Sequence, residues 1–128
     1  MSAPFKKNTS IYLQIAESIC DKILLKEYLE EEKIPSIRDM AVKLEVNPNT
    51  VQRSYEWLQQ NEIIFTKRGL GYFVSEKATT KVMEIKRNQF VEHVLPNVFK
   101  NMELLQIDMN QFEERFTNYL KNKANENK

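Results

Sequence analysis

The apolar positions of this chain change rhythm several times, and each change predicts an element. From about Ser10 to Lys26 the rhythm is helical. Ile11, Ile15, Ile19 and Ile23 form an i, i+4 row, with Tyr12, Ala16, Cys20 and Leu24 beside it. This row predicts a first helix that closes the core. Residues 26–33 are polar, and Lys33-Ile34 predicts a short strand that Pro35 ends. A second helix starts at Ser36. Pro35 biases Ile34 away from helical geometry, Ser36 suits an N-cap, and Asp39 stands at the capping-box spacing. Ile37, Met40, Ala41 and Leu44 then share one helical face. The pattern breaks at Glu45-Val46-Asn47, where Val46 plugs the angle between two helices. Asn47 is a good cap, and Pro48 fits a first helical position because its missing N–H would be unpaired there. The third helix runs from Pro48 to about Asn61, with Val51, Tyr55 and Leu58 as its inward stripe.

Strand-like runs follow. Ile63-Ile64-Phe65 and Tyr72-Phe73-Val74 are β-branched and aromatic, and predict strands Ile63–Lys67 and Tyr72–Ser75. Between them lies Arg68-Gly69-Leu70-Gly71. The chain has two glycines and both are here, so the hairpin needs backbone geometry that other residues adopt at a cost. Two helices across a tight turn, then a β-hairpin, is the order of a winged helix-turn-helix, which lays its second helix in the major groove of DNA. Asn49, Thr50, Gln52, Arg53 and Glu56 lie off the apolar stripe of that helix. Short or planar polar side chains of this kind suit base edges and phosphates. Lys67 and Arg68 stand at the hairpin tip, where a cation reaches a phosphate or the minor groove. On an isolated helix such positions would be an ordinary solvated face. The capped helix pair and the wing turn the reading toward DNA contact.

Residues 77–128 carry no strand signal. Val82, Ile85, Val91, Val94, Leu95, Val98, Met102 and Leu105 step mostly by three or four from about Thr79 to Gln106. Pro96 interrupts this run and predicts a kink near His93-Val94 or a break into two helices. Asp108, with Gln111 at capping-box spacing, opens a further helix in which Met109, Phe112, Phe116 and Tyr119 repeat, with Leu120 adjacent. The two termini, residues 1–9 with Lys6 and Lys7 and residues 121–128, are expected to fray. Two amphipathic helices of this size do not bury both apolar faces alone. They predict a twofold dimer, with Ile107, Met109, Phe112 and Phe116 as anchors; the alternative is a tail folded back on the winged part. The expected architecture is mostly α with a small β-wing. Residues 1–76 form a winged helix-turn-helix DNA-binding domain, and residues 77–128 a dimerisation segment of two or three helices.

Composition narrows the class. Hydrophobic residues make up 41% of the 128, enough for a core. The single Cys20 excludes an internal disulfide and suits a reducing compartment. No run is apolar and long enough to cross a membrane, and no signal-peptide pattern is present, so a cytoplasmic protein is expected. There is no phosphate-cradling glycine loop and no nucleophile–histidine arrangement. His93 is the one histidine and stands without a Cys or carboxylate cluster at ligand spacing. An enzyme, a metal and a cofactor are therefore not expected. Charge gives little help. The net is +1, and residues 1–76 hold ten Lys or Arg against eleven Asp or Glu. A strongly basic domain, the usual footprint of DNA binding, is missing. Affinity must then come from placed cations and from pairing two subunits, with strong salt dependence. The near-neutral charge also admits a second reading, a winged-helix protein-interaction module without DNA binding.

Three stretches carry a resemblance: SIYLQIAESICDKIL (10–24), IPSIRDMAVKLEVNPNTVQRSYEWLQQN (34–61) and IIFTKRGLGYFVS (63–75). Together they resemble the GntR family of bacterial transcription regulators, and NPNTV followed by KRGLGYFVS is most similar to its short, YtrA-type subfamily. The resemblance implies a dimer on a near-palindromic operator, most simply a repressor. It implies a phosphate or groove-edge contact for Arg38, recognition-helix roles for Asn49, Thr50 and Arg53, and wing roles for Lys67, Arg68 and Gly69. With Asn47 and Gln52 these make up the expected DNA-binding set. Many family members have arginine where this chain has Pro48 and Gln52, so base recognition should differ from theirs. A glycine common before the Pro-Ser pair is absent from LEEEKIPS. About fifty C-terminal residues are too few for a spacious effector pocket, and nothing marks a small-molecule effector site at the dimer seam.

Overall fold

The computed structural model describes residues 10–126. Its elements are α1 (Ile11–Leu24), α2 (Ile37–Leu44), α3 (Pro48–Gln60), β1 (Ile64–Lys67), β2 (Gly71–Val74), α4 (Ala78–Gln89), a π-helical turn (Phe90–Val94), α5 (Leu95–Leu104) and α6 (Met109–Glu126). The expected mostly helical fold with a β-wing is what the chain adopts. Two compact units divide it, one ending at Gln89 and the other beginning at Phe90.

In the first unit α3 packs on α1 and α2, and α4 packs on α1. The apolar stripe of α3 is wholly buried, with Val51, Tyr55 and Leu58 at 0% exposure. On α1 the buried face is Leu13, Ala16, Cys20 and Ile23 together with Ile15 and Ile19. Ile11 departs from the expected row and is 57% exposed. Each i, i+4 step precesses about 40° around a helix of 3.6 residues per turn, which turns Ile11 away from the side that Ile23 buries. Met40 and Ala41 bury the α2 face, Ile37 is half-buried, and Leu44 is exposed at the helix end. Ala78 and Val82 of α4 complete this core.

Strands β1 and β2 pair antiparallel, with Ile64 opposite Val74 and Lys67 opposite Gly71. Ile64 and Val74 point into the core. The short strand expected at Lys33-Ile34 is present as a bridge from Lys33 to Phe73. Ile34 N donates to Tyr72 O at 3.0 Å, and Glu31 N to Val74 O at 2.7 Å. Glu31 holds a left-handed backbone, φ +66°, in the glycine-free loop that precedes Pro35.

In the second unit Pro96 does not leave two helices separated by a loop. Phe90–Val94 widen into a π-helical turn and α5 follows at once, with Pro96 within its first two positions. The i→i+5 register of the π turn accommodates the donor that Pro96 lacks. Asp108 and Gln111 form a full reciprocal capping box, each backbone N–H donating to the other's side-chain oxygen at 2.9 Å. Residues 121–126, expected to fray, continue α6 to Glu126. The arm 1–9, and residues 127 and 128, lie outside the described residues. No helix among the described residues is long and apolar enough to cross a membrane.

Candidate nucleic-acid interface

The turn between α2 and α3 is built from caps. Ser36 Oγ accepts from Asp39 N at 3.1 Å and starts α2. The helix stops at Glu45, whose left-handed backbone (φ 56°) returns its N–H to Ala41 O and Val42 O. Val46, half-buried, packs against the core and fixes the angle, as expected. Asn47 Oδ1 then accepts from Asn49 N at 2.8 Å, and Pro48 opens α3 without an unpaired donor. This spends the Asn47 oxygen on the cap and leaves its amide group as the part able to meet a phosphate.

With Val51, Tyr55 and Leu58 buried, the opposite side of α3 is set. Asn49, Gln52 and Arg53 are exposed and Thr50 is half-buried. Gln52 Nε2 donates to Glu56 Oε1 at 3.3 Å. The Arg53 guanidinium lies over the Tyr12 ring, 4.2 Å from its centroid. Ser54, wholly buried, donates its hydroxyl to Tyr12 O at 2.6 Å and lies 3.1 Å from Thr50 O. Neither contact to Tyr12 is legible in the sequence, because periodicity reports which face of one helix is apolar and not which residue of a distant helix meets it. Arg38, on α2, is exposed.

The wing tip is a tight turn in which Leu70 N donates to Lys67 O at 2.9 Å. Gly69 takes φ +78° at its third position, as a type II turn requires, and open space surrounds a Cβ placed there. Its need for glycine is conformational. At Gly71, φ +111°, a Cβ would also stand 3.2 Å from Lys33 Cε. Lys67 folds back over the stacked Phe65–Phe73 pair, 4.6 Å from the Phe73 centroid, while Arg68 is exposed at the tip. The exposed side of α3, the wing tip and Arg38 are thus carried on one compact unit, with cations placed singly.

The dimer anchors named from the sequence lie in the other unit. Met109 and Phe116 are 65% and 58% exposed, Ile107 and Phe112 both 39%. Val98, Met102, Ile107 and Phe112 line a groove that Arg115 flanks.

Residues 11–74 match the family model described as bacterial regulatory proteins, gntR family. The HTH-type transcriptional regulator YhcF of Bacillus subtilis is 38% identical over 105 residues, 82% of this chain and 85% of YhcF. The HTH-type transcriptional repressor YtrA of the same organism is 35% identical over 89 residues, 70% of this chain and 68% of YtrA. Among solved structures, a GntR-family regulator from Bacteroides thetaiotaomicron superposes with TM-score 0.78 at 40% identity. That match covers 89% of this chain and 99% of the other. The chain therefore belongs to the GntR family and is a transcriptional regulator with a DNA-binding helix-turn-helix.

Proposed function

We propose that this regulator acts as a homodimer on a near-palindromic operator and represses transcription by occupying it. The observation that carries the reading is the doubly capped turn that exposes Asn49, Gln52 and Arg53 on α3 while burying its other side. Arg38, Asn47, Thr50, Lys67, Arg68 and Gly69 complete the proposed contact set, with Gly69 serving the turn that presents Arg68. In a twofold dimer the two α3 helices would enter successive major grooves roughly 34 Å apart. The near-neutral charge of the winged part supports pairing, since two modest half-site affinities combine when one dimer holds both. Ile107, Met109, Phe112 and Phe116 supply the proposed seam, and residues 77–128 the dimerisation segment. The repressor sign is supported by the similarity to YtrA, which is named a repressor.

Selection of bound duplexes from a random pool tests this. The expected result is two inverted half-sites spaced by about one helical turn, with retardation that weakens steeply with salt. A pool that stays random after selection ends the proposal.

A further inference from the structure

Tyr12 is the second residue of α1, and it is tied to α3 twice. Its backbone carbonyl accepts the hydroxyl of buried Ser54 at 2.6 Å, and its ring carries the guanidinium of Arg53 at 4.2 Å. Neighbouring residues of α3 thus hold the main chain and the side chain of one α1 residue. From α3 the apolar core takes Val51, Tyr55, Trp57 and Leu58, and Tyr12 is half-buried against it, so its ring touches the core and Arg53 at once. Arg53 itself is exposed, and among the described residues it forms no salt bridge. Glu56, one helical turn further on, is engaged by Gln52. A guanidinium over a ring face is held there by cation–π attraction and still carries a fork of N–H donors for a partner. A long cation held this way has already lost the rotamer freedom that binding would otherwise remove.

We propose that Tyr12 is a positioning residue for DNA reading. Its ring holds the Arg53 guanidinium in the orientation that meets the duplex, so that α1 sets part of the base preference expressed by α3. This rests on the proposed role of Arg53 in the recognition helix.

Full-length wild type, Tyr12→Phe, Tyr12→Leu and Arg53→Ala are compared in random-pool selection and in titration of the duplex that wild type selects. Tyr12→Phe keeps the ring and matches wild type. Tyr12→Leu keeps an apolar side chain and the carbonyl, yet loses about three- to tenfold in affinity for that duplex. It also flattens preference at the same base positions as Arg53→Ala. In an Arg53→Ala background it adds nothing. Binding of Tyr12→Leu to unselected duplex at low salt is unchanged, which separates lost positioning from lost folding. Without DNA, wild type and Tyr12→Phe show ring-current-shifted Arg53 side-chain protons by NMR. Absence of that shift in wild type overturns the proposal whichever variants fold. So does a Tyr12→Leu protein that keeps wild-type preference and affinity while Arg53→Ala loses them, and that outcome leaves the recognition-helix reading standing. If Arg53→Ala also matches wild type, the role of Arg53 falls and the proposal falls with it.

Discussion

The Tyr55 hydroxyl donates to the Pro35 carbonyl oxygen across 2.7 Å, while the Tyr55 ring meets Tyr72 edge-on at 4.9 Å. One wholly buried side chain of α3 therefore anchors both the entry to α2 and the second strand of the wing. Tyr55→Phe keeps the ring and removes the donor. The expected loss is about 1–2 kcal/mol in urea unfolding, with DNA affinity lowered less than stability because the exposed side of α3 is untouched.

Burial pushes the Cys20 thiol up to about 12, and burial also raises the Tyr55 phenol above its ordinary range. Both groups are neutral when protonated, so the folded state holds their protons more tightly than the unfolded chain does. The Cys20 contribution is complete below the unfolded thiol value near 9 and is lost as pH rises to about 12, while the Tyr55 contribution starts to fall only above the ordinary phenol value near 10. Stability measured by denaturant titration is expected to be level from pH 7 to about 8.5. It then falls with a limiting slope of about 1.4 kcal/mol per pH unit for each group. Cys20→Ala lowers stability at pH 7 yet flattens the alkaline slope. At neutral pH an aromatic disulfide reagent labels Cys20 only as fast as the protein opens.

The parts of this fold that were legible in the sequence are those specified by neighbours along the chain. Ser36, Asn47 with Pro48, and the Asp108–Gln111 pair each declare a helix start through a bond spanning two or three residues. The glycines at 69 and 71 declare the wing turn in the same way. What could not be read depends on distant partners. The exposed Ile11 and the buried Ser54 reflect where α1 and α3 cross. The Tyr12–Arg53 contact joins the same two helices, and the π turn before Pro96 is one of two outcomes that a proline allows. Among the candidate DNA-binding residues, exposure follows from the apolar stripe, but the place of Arg53 over the Tyr12 ring does not.

Glu31 adopts φ +66° while its N–H is bonded to Val74 O. A left-handed backbone strains an L side chain but not glycine. Glu31→Gly is therefore expected to stabilise the protein by about 0.5–1 kcal/mol in urea unfolding, even though glycine adds freedom to the unfolded chain. Glu30→Gly, one residue away at ordinary φ, is expected to be neutral or destabilising. Equal effects of the two would show that the gain came from lost charge in the Glu-rich loop.

Phe112 and Phe116 lie one helical turn apart on α6, at 39% and 58% exposure. If they anchor a seam between two copies, Phe112→Glu with Phe116→Glu places two like charges where apolar surface should be covered. Truncating a single aromatic anchor typically costs 2 kcal/mol or more of association, roughly thirtyfold. Sedimentation equilibrium is expected to give wild type at twice the 15.2 kDa chain mass and the double variant at the chain mass. Helix content by circular dichroism should be little changed, since the capping box at Asp108 is intact. A wild type that sediments as one chain at all concentrations removes the seam.

The wing and the recognition helix should fail differently. Arg68 is exposed at the turn that Gly69 shapes, and a cation there that meets phosphate contributes without regard to sequence. Arg68→Ala is expected to weaken specific and unselected duplexes alike and to lower the salt slope by about one. Arg53→Ala is expected to cost about 1–3 kcal/mol on the selected duplex and to relax specificity at one position of each half-site. Titrations of both variants at several salt concentrations separate the two patterns. Lys67 offers the intermediate case. Its ammonium is held over Phe73, so a change in salt slope for Lys67→Ala would mean that it leaves the ring to meet DNA. An unchanged slope with lower stability would mean that its place is on the aromatic pair.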